Sequence, residues 1–136
     1  MATGYNVVDL VAAGMRGVPV TNIPAYSTPA VAQMVFAHVL NLTQHVALHA
    51  KSVRNGDWSS CSDFCFWNAP LTELNGQTFG IIGLGQIGKE AAAIASAFGM
   101  RVIAYNHRPP RELTNDIEIV DLDEVFAKSD VISLHC

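Results

Sequence analysis

Thr78-Phe79-Gly80-Ile81-Ile82-Gly83-Leu84-Gly85-Gln86-Ile87-Gly88 is the stretch that decides the fold. A short apolar run passes straight into Gly-x-Gly-x-x-Gly, and an alanine-rich helical segment follows to Phe98. Strand, glycine turn and helix in that order open a dinucleotide-binding unit. Each glycine has its own duty there. Gly83 permits the tight turn, Gly85 lets the main chain approach a pyrophosphate, and Gly88 lets the new helix pack closely on the strand. The phosphates then sit on free N–H groups at the positive end of that helix.

Downstream, Gly99 is placed to end the helix in a left-handed cap. Arg101 to Tyr105 reads as strand two, and a loop with two prolines and two arginines runs to Asn115. Ile117 to Val120 reads as a short third strand. Asp121-Leu122-Asp123-Glu124 then forms a carboxylate capping box for a short helix, with Val125 and Phe126 inward. Val131 to His135 is a fourth strand. Strands alternating with helices predict an α/β fold, a partial doubly wound (Rossmann) parallel sheet. Right-handed crossovers give the order three, two, one, four, and ligand belongs in the crevice between strands one and four. That is the adenine half of a dinucleotide fold.

In such folds the end of strand two carries a carboxylate for the adenosine ribose. Here it is Asn106. An amide can hydrogen-bond a ribose without repelling a 2′-phosphate, and His107, Arg108 and Arg111 follow as cationic donors. The cofactor is therefore NAD or NADP, with NADP favoured. S-adenosylmethionine at a similar turn is the competing ligand; the motif spacing and the arginines speak against it.

Upstream of the motif, residues 1–23 predict a short helix over 5–15 and a strand-like run over 18–23, too little for a core of their own. After the turn Pro24-Ala25-Tyr26-Ser27, Thr28 reads as N-cap and Pro29 as first helical residue. One long helix is expected from there to about Val53. It is apolar on more than one stripe, as befits a helix buried between two bodies. His38, Asn41, His45, His49 and Ser52 form a polar stripe along it. His45 and His49 have a metal-ligand spacing, but no third ligand is evident, so the stripe reads as a polar seam and no metal is expected. Trp58 to Leu74 is irregular and rich in aromatics, as if it lay over another subunit or domain.

Half of the 136 residues are hydrophobic, 15% are charged and the net charge is −4. Those values exclude disorder and argue against nucleic acid. The most apolar run, Ala30 to Ala50, carries too many polar residues to span a membrane. Three cysteines without a Cys-x-x-Cys suit a reduced, cytoplasmic protein.

With these residues in view the chain resembles the D-isomer-specific 2-hydroxyacid dehydrogenases, and among them the glycerate dehydrogenase (hydroxypyruvate reductase) branch. The marks are Thr3-Gly4-Tyr5-Asn6-Val7-Val8-Asp9, Val20-Thr21-Asn22-Ile23-Pro24-Ala25-Tyr26-Ser27-Thr28 and Val31-Ala32-Gln33. Asp63-Phe64-Cys65-Phe66-Trp67, Leu71-Thr72-Glu73-Leu74, the glycine motif and Ser129 to Cys136 complete them. The resemblance implies an oxidoreductase passing hydride between a nicotinamide and a small 2-hydroxy or 2-keto acid such as glycerate, hydroxypyruvate or glyoxylate.

It also implies a division of the chain: 1–23 from a substrate domain, 24–77 the long interdomain and dimerisation helix with its aromatic connection, and 78–136 the first half of the cofactor domain. A homodimer through the long helix is implied. Gly83, Gly85, Gln86, Ile87 and Gly88 would line the pyrophosphate, with Asn106, His107 and Arg108 at the ribose, His135 and Cys136 at the adenine, and Val31 near the nicotinamide. No residue here matches the family's catalytic arginine, glutamate or histidine. The chain is therefore expected to be a fragment that does not turn over alone. A dinucleotide-sensing interaction module without catalysis is the alternative.

Overall fold

A computed structural model describes residues 3–108 and 117–136. Four parallel strands form one sheet in the order β3-β2-β1-β4: β1 (Thr78–Ile82), β2 (Arg101–Tyr105), β3 (Ile117–Ile119) and β4 (Val131–Leu134). This is the order expected from right-handed crossovers. The pleat sorts each strand's residues between two faces. Phe79 and Ile81 of β1 and Val102 and Ala104 of β2 point to one core; Ile103 of β2 points to the other, with Ile82 and Tyr105 packed beside it.

α5 (Gln86–Ala97) covers the first face through Gly88, Ala91, Ala92 and Ala95. These small residues recur at helical spacing and let the helix lie close to the strands. Gly99 ends it at φ 75°, with Gly99 N–H on Ser96 and Met100 N–H on Ala95, the left-handed cap the sequence predicts. α6 (Leu122–Lys128) covers the second face with Val125 alone buried. Phe126, expected inward, is 61% exposed, because a helix of seven residues turns only one side to the sheet. The capping box is not closed at the N-cap, since Asp121 makes no side-chain cap, and the Glu124 carboxylate accepts from Lys128. Lys128, one turn on, holds the Glu124 carboxyl below its ordinary pKa. Where α6 meets β1, a side chain at Gly80 would collide with Ser129 and Val125.

α2 (Thr28–Gln44) packs on α5, burying Ala32, Phe36 and Val39. Phe36 joins three elements by stacking on Phe79 at 5.5 Å and on Phe98 at 5.4 Å. The helix starts one residue earlier than expected, with Ser27 as N-cap. The single long helix to Val53 is not formed. His45 adopts a left-handed conformation (φ 48°, ψ 42°) and separates α2 from α3 (Val46–Arg54). The cause is tertiary: the Thr43 carbonyl, which would serve the next helical turn, accepts the Thr72 N–H, and the Gln44 side chain donates to the Thr72 carbonyl.

The polar stripe serves as a seam over part of its length. His49 Nε2 accepts the Asn68 N–H at 3.1 Å, so its Nδ1 carries the proton and donates to His45. Asn68 also donates to Ser52, which donates in turn to Asp57 in α4 (Asp57–Ser60). Among the described residues no cluster of three or more His, Cys, Asp or Glu could hold a metal ion. No helix there is long and apolar enough to cross a membrane.

α1 (Leu10–Met15) is capped by Asp9, which accepts the Ala12 N–H, so the helix begins later than the sequence suggests. Residues 18–23 run without joining a sheet, and none of residues 3–23 is buried. Two bonds between Thr3 and the Asn22–Ile23 stretch close this piece on itself.

Removing the Phe36 ring takes away both stacks at once. Phe36→Ala is expected to destabilise the chain by about 3–5 kcal/mol, read as a lowered urea midpoint. Amide protection should be lost first in α2, and an unchanged midpoint would show that α2 is held some other way.

Candidate dinucleotide site

The glycine turn joins the end of β1 to the start of α5, beside the chain leaving β4. Gly83 has φ 97°, a conformation that side chains resist. A Cβ there would also lie 2.6–2.7 Å from the His135 carbonyl group and the Cys136 nitrogen. Gly83 N–H bonds the Tyr105 carbonyl, and His135 N–H bonds the Ile82 carbonyl at 2.7 Å. The turn is thus gripped from both neighbouring strands. Gly88 is equally constrained, since a methyl group would meet the Gly83 carbonyl oxygen and come within 3.3 Å of Ile81.

Gly85 differs from both. It is the N-cap of α5, exposed, and a Cβ on it would have nothing within 4 Å. No side chain caps α5. The helix therefore opens with main-chain donors and a positive dipole end beside an unobstructed glycine. Gln86 is exposed and Ile87 half-buried at the same end. Residues of this kind fit a pyrophosphate: close main-chain approach, N–H donors and no acidic side chain in the first turn.

Two further strand ends meet the turn. At the end of β2, Asn106 Oδ1 accepts the Leu84 N–H at 3.0 Å, while Leu84 buries its side chain in the core. His107 and Arg108 follow, both exposed; Arg111 lies outside the described residues. After β4, His135 is half-buried, with Nε2 2.9 Å from Ser133 Oγ, and burial pushes its imidazole below the ordinary pKa. Cys136 beside it is exposed. The structure thus gathers Gly83, Gly85, Gln86, Ile87, Gly88, Asn106, His135 and Cys136 around one turn, with His107 and Arg108 at its edge. Val31 is carried separately on the first turn of α2, 37% exposed. Sequence reasoning missed the bond from Leu84 to Asn106. A short polar side chain at the end of β2 was its signal, since Oδ1 of either an asparagine or an aspartate can accept that N–H; only the second bond, from Nδ2 to the Arg108 carbonyl, requires the amide.

Residues 36–136 match the NAD binding domain of the D-isomer specific 2-hydroxyacid dehydrogenases. A hydroxypyruvate reductase of Blautia hydrogenotrophica is 47% identical over all of this chain and 42% of its own length. A glycerate dehydrogenase of Methylorubrum extorquens is 40% identical over 98% of this chain and 41% of its own. The crystal structure of TT0316 protein from Thermus thermophilus superposes with a TM-score of 0.82 at 34% identity, covering 99% of this chain and 42% of the other. The chain thus spans about two fifths of the length of the relatives it matches. With the sheet order, the glycine turn and the match over most of its length agreeing, the chain belongs to the D-isomer specific 2-hydroxyacid dehydrogenase family, in the region of its NAD binding domain.

Proposed function

We propose that this chain is the cofactor-binding part of an NAD(P)-dependent oxidoreductase acting on a D-2-hydroxy acid or its 2-keto acid, such as glycerate and hydroxypyruvate, or glyoxylate. The observation that carries the reading is Gly85, open to approach at the uncapped start of α5. The names of the hydroxypyruvate reductase and glycerate dehydrogenase relatives support the substrate class. In the proposed division, 1–23 belongs to a substrate domain, 24–77 to the interdomain connection and 78–136 to the cofactor domain. The setting is the reduced cytoplasm, which suits three free cysteines.

Gly83, Gly85, Gln86, Ile87 and Gly88 line the pyrophosphate: the start of α5 at Gly85, Gln86 and Ile87 meets it with main-chain N–H groups and the helix dipole, while Gly83, whose own N–H is taken by Tyr105, and the buried Gly88 shape the turn beneath it. Asn106, His107 and Arg108 form the ribose end, His135 and Cys136 border the adenine, and Val31 approaches the nicotinamide. A bound nicotinamide supplies or accepts the hydride. The work of these residues is to bind and orient; none of them is proposed to exchange the substrate proton. Pairing of two copies through α2 and the aromatic connection would cover Met34, Leu42, Trp58, Phe64 and Trp67, all more than half exposed.

Fluorescence titration tests the cofactor reading. The protein should bind NADPH and NADH but not S-adenosylmethionine, and Arg108→Ala should weaken NADPH about ten- to a hundredfold while sparing NADH. Equal loss for both would remove Arg108 from the 2′ position. Sedimentation tests the pairing: a dimer is expected, and a clean monomer at micromolar concentration would refute it.

The pH dependence follows from His135. Its folded-state pKa is lowered, so the unfolded chain takes up the proton first as pH falls. Stability is full above the ordinary imidazole value of about 6.5 and declines as pH drops through the depressed folded value. The urea midpoint should fall with acid over that window, and less steeply in His135→Asn. The same slope in both proteins would assign the effect to other groups.

A further inference from the structure

The Asn106 side chain is committed at both ends. Oδ1 accepts the Leu84 N–H at 3.0 Å, within the glycine turn, and Nδ2 donates to the Arg108 carbonyl at 2.5 Å. An N–H faces one end and a carbonyl the other, so the two partners fix the orientation of the amide. The end of β2 is thereby braced against the turn on one side and against the loop carrying His107 and Arg108 on the other. Leu84 is anchored twice, by its side chain in the core and by its N–H on Asn106.

We infer that Asn106 is a positioning residue: it locks the glycine turn and the Arg108 loop into one geometry that a dinucleotide meets preformed. The inference rests on the dinucleotide reading above and gives Asn106 a different task from reading the ribose. Preorganisation of this kind lowers the ordering cost of binding and acts on every ligand that uses the turn. A direct ribose contact would act only through the ribose hydroxyls. Asn106 retains one lone pair and one N–H for such a contact, so the two roles are told apart by which ligands a substitution weakens.

The experiment measures dissociation constants of NADH, and of its analogue lacking both adenosine ribose hydroxyls, for the wild-type protein and Asn106→Ala. Positioning predicts that the variant weakens both ligands by the same factor, about tenfold for the loss of a turn-holding hydrogen bond. A loss seen with NADH that vanishes with the dideoxy analogue would overturn the inference and make Asn106 a ribose reader. Hydrogen exchange of the Leu84 amide without ligand gives an independent readout. It should be slow in the wild type and in Asn106→Asp, which keeps the acceptor, and fast in Asn106→Ala; equal exchange in all three would overturn the brace itself. Should Asn106→Ala fail to fold, Asn106→Ser carries the binding test, its shorter side chain leaving Leu84 and Arg108 unbraced without adding a carboxylate, with the same equal-factor expectation. A wild-type protein that binds neither NADH nor NADPH would overturn the dinucleotide reading and this inference with it, whereas ligand-dependent loss in a protein that binds them would overturn the inference alone.

Discussion

The contact between Gly83 and the main chain of His135 and Cys136 is the constraint on which the rest of the site depends. β1 lies between β2 and β4 in parallel register, so its end is flanked by two other strand ends. A side chain at position 83 would force the β4 end away, and with it the bond from His135 N–H to Ile82. Because the chain turns tightly there, α5 starts directly over the sheet, and Gly88 can rest on the Gly83 carbonyl. Two glycines are closed off by packing. The third, Gly85, is left open, and that asymmetry distinguishes a turn shaped to receive a ligand from one that is merely tight.

Much of this was legible because it is local. The glycine spacing fixes the turn, alanines at helical spacing fix the face of α5, and right-handed crossovers leave a single order for the strands. What was not legible is what distant residues do to a local pattern. The helical periodicity from Val31 to Val53 is genuine, yet Thr72 takes a carbonyl from the ladder and His45 is driven into a left-handed conformation. Nothing between residues 28 and 53 announces that. Phe126 failed for a related reason: hydrophobicity suggested an inward side chain, but only Val125 of that pair can face the sheet from so short a helix. The polar stripe was read correctly as a seam only where Asn68 came to meet it, at His49 and Ser52.

Asn106 shows how one atom can tie charge to geometry. A carboxylate in its place could accept the Leu84 N–H but could not donate to the Arg108 carbonyl, and two oxygens facing each other would repel. An acid that repels a 2′-phosphate and an amide that braces the Arg108 loop are therefore mutually exclusive at this position. The choice of amide removes a negative charge from the end of β2 and, by the same substitution, gives the Arg108 carbonyl a donor to accept from. Local charge and loop geometry at the end of β2 then follow from a single residue. For that reason, counting charges near the end of β2 describes only half of what Asn106 does there.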